Sequence, residues 1–148
     1  MRIDYKDRKV ILSTLWIFVM FNYTYCDILG LMDSSLLKQY LTGVVDGLEL
    51  TENFLLIGAI LMEIPIAMIL LSRILNYKVN RWANITAASI KTIAMVLTMF
   101  VGTPTLYYIF FGSIEIATTI FIVYYAWTWK ESDLNVKNNV HTTNRDIA

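Results

Sequence analysis

Three ionisable side chains, Glu63, Lys91 and Glu115, each lie near the middle of a long apolar run of the sequence. A fourth apolar run carries Asn22 at a similar position and Asp27 about one helical turn further along. Charges at the centre of apolar segments are costly, so they usually mark a ligand site, a proton pathway or a buried ion pair. These five residues form the candidate site for binding a proton or a small ligand.

Four apolar runs supply the helices that must position these residues: about 10–32, 54–75, 82–101 and 106–127. Each is about 20 residues or longer, which is enough helix to cross a bilayer core roughly 30 Å thick. The 148-residue chain is 57% hydrophobic and only 16% charged, whereas soluble domains are about one-quarter charged. We therefore predict an all-α fold, with one integral membrane four-helix bundle in residues 1–131 and a polar, disordered tail in residues 132–148.

Basic residues are distributed unevenly along the chain. They cluster in segments 2–9, 73–81 and 130–145, whereas the loop 33–53 contains only Lys38. Lysine and arginine favour the cytoplasmic side of a membrane. We therefore expect both termini to be cytoplasmic, in a multi-pass protein of the cell membrane whose main partner is the lipid bilayer.

This topology places four of the five candidate residues in one layer. Counted from the outer end of its span, each lies about nine or ten residues in, at a depth of about 14 Å. Asp27 is shallower, at about 7 Å, and could line an approach from outside. Small residues flank the three central charges, as Ala59 and Ala67 flank Glu63. Because small residues let membrane helices approach closely, we expect these faces to point into the bundle.

The predicted layer contains one lysine and two glutamates. Two neighbouring carboxylates cannot both stay ionised at low dielectric without compensation. Our hypothesis is that Lys91 pairs with one glutamate, while the other carries a proton or awaits a cationic ligand. Pro65 has no amide donor, so it frees the carbonyl of Leu61 as an extra acceptor near the centre.

The loop after the first run is expected to contain one further element. Asp33, or one of the two serines that follow it, can cap a short helix whose apolar positions continue to Val44 and Val45. Such a helix would lie on the outer membrane surface or cover the bundle. Thr51 is the expected cap of the second span.

The segment FNYTYCDILGLM at residues 21–32, followed by a span with a central glutamate, resembles an uncharacterised family of small prokaryotic four-helix membrane proteins. The similarity in length and helix layout covers nearly the whole chain. It implies a location in the prokaryotic plasma membrane, and it implies no particular activity. The layout is also similar to the DoxX-like four-helix group, at the level of fold alone.

Three functions remain open at this point. The first is a small proton- or cation-linked transporter, with homo-oligomers possible, in which Glu63 and Glu115 exchange the ion and Lys91 is the counter-ion. The second is an accessory or assembly subunit whose buried charges lock the helices together. The third is a membrane-embedded enzyme that acts on a lipid-like substrate, with the two glutamates as acid and base. The sequence has no phosphate-binding glycine loop and no metal-spaced His/Cys set, so we expect no metal, cofactor or nucleic-acid partner.

Overall fold

The computed structural model of the chain describes residues 5–100 and 102–130. Five helices and one hairpin follow one another in this part of the chain: α1 (Tyr5–Met32), α2 (Ser34–Thr42), β1 (Val44–Val45), β2 (Leu48–Glu49), α3 (Glu52–Ile74), α4 (Tyr77–Thr98) and α5 (Leu106–Trp127). The predicted all-α class is confirmed, with the hairpin as a small addition. The tail predicted for residues 132–148 lies outside the described residues.

Three of the helices are long and apolar enough to cross a membrane: Arg8–Met32, Glu52–Ile74 and Leu106–Trp127. Helix α4, which contains most of the third predicted span, is also of spanning length at about 1.5 Å per residue. It is not one of the three because asparagines and charged side chains, including Asn80, Asn84 and Lys91, reduce its apolar character.

The four long helices pack side by side as a ring of neighbours. Helix α1 packs against α3 and α5, and α4 packs against the same two helices. The core between them consists of large apolar side chains: Leu12, Trp16, Val19, Met68, Met95 and Ile122. Every residue from Thr51 to Ile60 is exposed, whereas the buried residues of α3, Pro65, Met68 and Ser72, all lie in its second half.

Helix α2 begins as the sequence predicts. The Asp33 carboxylate accepts hydrogen bonds from the backbone N–H of Ser35 at 2.9 Å and of Leu36 at 3.4 Å. These bonds stabilise the ionised form, so they lower the pKa of the Asp33 carboxyl. Likewise, Thr51 caps α3 by accepting from the N–H of Phe54, as expected.

The prediction that this short helix continues through Val44 and Val45 is wrong. Helix α2 ends at Gly43, whose φ of 75° lies in the left-handed region. The two valines form β1, which pairs with β2 in an antiparallel hairpin. Its two turn residues, Asp46 (φ 48°) and Gly47 (φ 83°), both have positive φ, as a type I′ turn requires.

A buried network of polar side chains joins α1, α3 and α4 towards the end of the ring that carries Arg73. The Asn84 side-chain oxygen accepts from the Trp16 indole at 2.7 Å and from the Ser72 hydroxyl at 3.2 Å. The Asn80 amide donates to the Ser72 carbonyl at 2.6 Å, and the Asn84 amide donates to Asn80. We call these four residues, Trp16, Ser72, Asn80 and Asn84, the asparagine network; each is fully buried.

Candidate ligand-binding site

A central cavity of about 200 Å³ lies between the four long helices, and all four contribute to its lining. The residues that matter for its chemistry come from different helices: Tyr23 and Asp27 from α1, Leu61 from α3, Lys91 from α4, and Tyr108 and Glu115 from α5. The ring of helices therefore brings together charged groups that are far apart in sequence.

Glu115 is the most isolated polar group in this cavity. Its side chain is only 1% exposed, and neither carboxylate oxygen has a hydrogen-bond partner among the described residues. The helix around it is fixed by threonines: Thr119 donates to the Glu115 main-chain carbonyl at 2.9 Å and accepts from Thr92 of α4 at 2.7 Å. A buried polar group without a partner costs free energy, so this carboxylate is the clearest candidate for a ligand contact.

Lys91 is also buried, with 4% of its surface exposed, but its ammonium group has contacts. The nitrogen lies 3.4 Å from the carbonyl oxygen of Leu61 and 4.0 Å from the centre of the Tyr23 ring. The first contact is a hydrogen bond to the carbonyl that Pro65 leaves free, as the sequence predicted. The second is a cation–π contact. Three helices therefore hold this ammonium in place.

Lys91 and Glu115 both line the cavity, and their charges interact electrostatically across it. The Lys91 ammonium nevertheless makes no hydrogen bond to Glu115, because both carboxylate oxygens lack such a partner within the described part of the chain. The expected direct pairing of Lys91 with a glutamate is therefore absent among these residues. Glu115 keeps both acceptor oxygens available for a ligand.

Glu63 does not join this site, and the expectation that it faces the interior is wrong. Its side chain is exposed, as is that of Ala59. The buried face of α3 consists of Pro65, Met68 and Ser72, which lie roughly opposite Glu63 at 3.6 residues per turn. The face that packs against α1 and α4 is therefore the one away from the glutamate.

Asn22 is buried, but it does not belong to the cavity lining. Its amide donates to the carbonyl of Phe18 at 2.8 Å, one turn earlier in α1. Of the four residues predicted to share a layer, only Lys91 and Glu115 therefore meet at the cavity.

A second cavity of about 300 Å³, which we call the vestibule, lies at the end of the ring next to α2 and the hairpin. Four residues line both this space and the central cavity: Cys26, Asp27, Thr98 and Tyr108. The two cavities therefore adjoin, and Asp27 lies at their junction. The role expected for Asp27, lining an approach from outside, stays a prediction.

The hairpin covers one side of the vestibule. The backbone N–H of its turn residue Asp46 donates a hydrogen bond to the side-chain oxygen of Gln39 at 2.8 Å. The Asp46 carboxylate also lies against Gly102, so closely that a Cβ atom on that glycine would overlap it. Gly102 itself has a φ of 63°. The hairpin and the α4–α5 connection therefore fit together only with glycine at this position.

Comparison with known protein families finds one family that matches the sequence of this chain. A family described as being of unknown function, DUF6326, matches residues 2–136. The chain belongs to this family. No curated protein and no solved structure matches the chain. The match agrees with the expected membership of an uncharacterised family, while the analogy with the DoxX-like group stays a prediction.

In this DUF6326 protein, two residues of the site, Tyr23 and Tyr108, are not among the five candidates named from the sequence. Helical spacing could have found both. Tyr23 precedes Asp27 by one turn, and Tyr108 precedes Glu115 by two turns, so each shares a face with a candidate charge. The Tyr108 hydroxyl donates to Thr98 at 2.7 Å, where the two cavities adjoin.

The site offers little to a metal ion. Within the residues that the structure describes, no group of three or more His, Cys, Asp or Glu side chains is placed to hold one. Cys26, a free buried thiol, lines both cavities but has no second cysteine in the chain to pair with. The chemistry available here is that of carboxylates, one ammonium and tyrosine rings.

Proposed function

We propose that this protein is a small membrane carrier in which Glu115 binds a proton or cation and Lys91 provides a fixed positive charge beside it. The observation that carries the proposal is the buried Glu115 carboxylate, which lies in a cavity and has no hydrogen-bond partner among the described residues. The Lys91 ammonium already has two contacts, whereas neither oxygen of the carboxylate is hydrogen-bonded within the described residues. The group that fits the remaining space is therefore a donor or a cation.

The carrier is proposed to span the membrane four times. Support for the fourth span comes from α4, whose buried side is polar, with Asn80, Asn84 and Lys91. Its exposed side chains are largely apolar: Val79, Trp82, Ile90, Ile93, Val96 and Leu97. A helix that turns polar groups inward and apolar groups outward suits lipid rather than water.

Four spans would place both termini on the same side. The basic residues Arg73, Lys78 and Arg81 lie where α3 and α4 connect, so that end is proposed to face the cytoplasm. The vestibule, at the opposite end, would then open to the outside. The proposed location is the plasma membrane of a prokaryote.

We propose a route through the protein that begins at the vestibule. The vestibule leads past Asp27 to Glu115, whereas the asparagine network fills the space between the helices towards the basic end. A ligand from outside could reach Glu115 without moving the helices. Release to the cytoplasm would require the hydrogen bond between Trp16 and Asn84 to open. This alternation is what a carrier needs.

The two alternatives are less well supported. An enzyme that uses two glutamates as acid and base needs both at one substrate, but Glu63 is exposed and does not line the cavity that contains Glu115. An accessory subunit with locking charges needs those charges to be paired. Neither oxygen of Glu115 is hydrogen-bonded within the described residues, so this carboxylate forms no direct pair there.

The experiment is a proton-flux assay on purified protein in liposomes that contain a pH-sensitive dye, driven by an imposed membrane potential. We expect Glu115→Gln to abolish flux. Glu63→Gln is the matched control, because it removes the other mid-helix glutamate outside the site, and we expect it to retain flux. If Glu115→Gln carries protons as well as the unaltered chain does, or the unaltered chain carries none, the proposed function is wrong.

A further inference from the structure

The lining of the vestibule points to a more specific ligand. Four aromatic rings, those of Phe54, Tyr40, Tyr107 and Tyr108, surround the space. Two carboxylates, Asp27 and Asp46, are the charged members of its lining, and no lysine, arginine or histidine is among the lining residues that the structure describes. A space with negative charge, aromatic faces and no base repels anions and attracts cations.

We propose that the vestibule binds an organic ammonium ion, such as a small quaternary amine. Metal ions such as Ca²⁺ and Mg²⁺ require oxygen ligands, whereas alkylammonium ions are weakly hydrated and bind well to the faces of aromatic rings. The aromatic lining therefore suits an alkylammonium ion better than a metal ion. The cavity of about 300 Å³ lies at the lower end of the range for small-molecule sites. The proposal names the substrate class of the proposed carrier and rests on that function only for movement further inward.

The tyrosines of the vestibule offer neutral rings to such a ligand. Burial raises the pKa of the Tyr40 phenol, and the nearby Asp27 charge raises it further. The phenol therefore stays protonated at neutral pH and can donate a hydrogen bond while its ring face contacts the cation. The Tyr108 hydroxyl is already committed to Thr98, which fixes the orientation of that side chain.

Three carboxylates line the two cavities: Asp46 and Asp27 are exposed, and Glu115 is buried. Asp46 lies at the hairpin, Asp27 at the junction of the cavities, and Glu115 inside the central cavity. Lys91 lies beyond the junction, where its ammonium contacts the Leu61 carbonyl and the Tyr23 ring. A cation in the vestibule would therefore meet the negative charges before it met the positive one.

The test is a binding titration of choline, by calorimetry, with the purified protein in lipid nanodiscs. Its neutral isostere 3,3-dimethylbutanol is titrated in parallel. We expect choline to bind and the alcohol to bind at least tenfold more weakly, because the alcohol lacks the charge. Tyr40→Leu is expected to weaken choline binding about two- to thirty-fold, and Tyr40→Phe, which keeps the ring, to change it less.

Matched controls come from the same chain. Tyr25→Leu removes an exposed tyrosine outside the lining, and Glu49→Gln removes an exposed acid of the hairpin outside the lining. Both are expected to retain choline binding, whereas Asp46→Asn is expected to weaken it. Equal binding of choline and the alcohol, or equal effects of Tyr40→Leu and Tyr25→Leu, would overturn the proposal.

The two proposals fail in different ways. If the vestibule proposal is right and the carrier proposal wrong, choline binds but no protons cross the membrane. In the opposite case, protons cross in a manner that depends on Glu115, while choline does not bind. Glu115→Gln separates them further, since it is expected to lose flux and to keep choline binding in the vestibule.

A second inference comes independently from the exposed face of α3. Glu63 lies at the middle of the most apolar of the three helices able to span a membrane, yet it is exposed. Ala59, one turn before it, is exposed, and Ala67, one turn after it, is half-buried. A lone carboxyl group facing lipid is costly, and the small residues beside it leave room for a close neighbour.

We infer that this face packs against the same face of a second copy, with the two Glu63 carboxyl groups hydrogen-bonded to each other. A twofold axis brings each residue onto its own counterpart, and a neutral carboxyl group both donates and accepts. Among its described residues, a copy has no exposed cation in the middle of a long helix to offer. The exposed lysines and arginines of the described chain lie near helix ends or in α2: Lys38, Arg73, Lys78 and Lys130.

Oxidative cross-linking in membranes tests this interface. Ala59→Cys is introduced after the one native cysteine is replaced by Cys26→Ala, and copper phenanthroline is expected to produce a disulfide-linked dimer. Ala117→Cys, on an exposed alanine in the middle of α5, is the control and is expected to give none. Adding Glu63→Gln should preserve the cross-link because a carboxamide is also self-complementary, whereas Glu63→Lys should prevent it. No dimer at position 59, equal dimer at both positions, or no effect of Glu63→Lys would refute the interface.

Discussion

The Lys91 ammonium lies 3.4 Å from the carbonyl oxygen of Leu61, the acceptor that Pro65 leaves without its usual helical donor. A proline in one helix thus creates the hydrogen-bond acceptor for a lysine on another. This relationship explains how a buried ammonium persists near a carboxylate without a direct ion pair. It also makes the positive charge part of the framework, while Glu115 remains available.

The first prediction concerns the coupling of these two charges. Lys91→Met leaves the Leu61 carbonyl without its donor and Glu115 without a nearby positive charge, so we expect the free energy of unfolding to fall by about 2 to 4 kcal/mol. The double variant with Glu115→Gln should lose less than the sum of the single changes. Denaturant unfolding in mixed micelles measures all three. Lys38→Met, at an exposed position of α2, is the control and should change stability by no more than about 0.5 kcal/mol.

The second prediction concerns the asparagine network. Asn84→Leu removes the acceptor of Trp16 and Ser72 and one donor to Asn80, and it leaves buried partners unsatisfied. We expect it to cost at least about 2 kcal/mol of the free energy of unfolding. Thr86→Ala, at an exposed position two residues along the same helix, should have little effect. Equal losses for the two variants in the same unfolding assay would contradict the assignment.

The third prediction concerns the contact between the hairpin and Gly102. Gly102→Ala places a methyl group against Asp46 and forces alanine into a positive φ, so we expect a loss of about 1 kcal/mol or more and displacement of the hairpin. Hydrogen–deuterium exchange should accelerate in residues 43–50. Gly58→Ala is the control, because its methyl group would meet no atom within 4 Å and the glycine is helical. It should leave exchange in the hairpin unchanged.

The fourth prediction is a pH effect at the start of α2. The pKa of the Asp33 carboxyl is lowered in the folded chain from an ordinary value of 3.8, because backbone N–H groups bond to its ionised form. A group with a depressed folded pKa stabilises the fold above its unfolded pKa, and loses that effect as the pH falls through the folded value. Protection of residues 34–42 from hydrogen exchange should therefore hold at neutral pH and decline below pH 3.8. Asp33→Asn, which can cap but cannot titrate, should not show this dependence.

Much of the helical framework followed from sequence. Apolar length gave the positions of the long helices, Asp33 and Thr51 marked helix starts, and small residues around Lys91 indicated an inward face. The location of Lys91 and Glu115 inside the ring could be predicted for that reason. The missing N–H of Pro65 predicted a free acceptor at Leu61, but that Lys91 is its donor is seen only in the structure.

The orientation of Glu63 could not be predicted in the same way. Helix α3 is apolar around its whole circumference, so its sequence contains no difference between a packed face and an exposed one. The alanines near Glu63 suit contact with a neighbour in the same chain and contact with another chain equally well.

The hairpin was missed for another reason: Asp46-Gly47 is a turn signal, but the apolar spacing around it also suits a helix.

The cavities are harder to predict from the sequence than the helices are. Their volume depends on how side chains from four helices meet, and on contacts such as that of Asp46 with Gly102, which join residues distant in the chain. Helical spacing identifies which residues share a face. It does not reveal which faces enclose a space.

The burial of Trp16 has a practical consequence for experiments. Its indole N–H is bonded to Asn84, whereas Trp82 and Trp127 are each 58% exposed. If α1 and α4 separate at the basic end, the indole loses this bond and meets a more polar environment, which shifts its emission to longer wavelength. In a chain whose other three tryptophans, Trp82, Trp127 and Trp129, are replaced by phenylalanine, fluorescence would report that opening without an attached dye. Trp16 is thus an intrinsic fluorescent probe at the place where a carrier would have to change conformation.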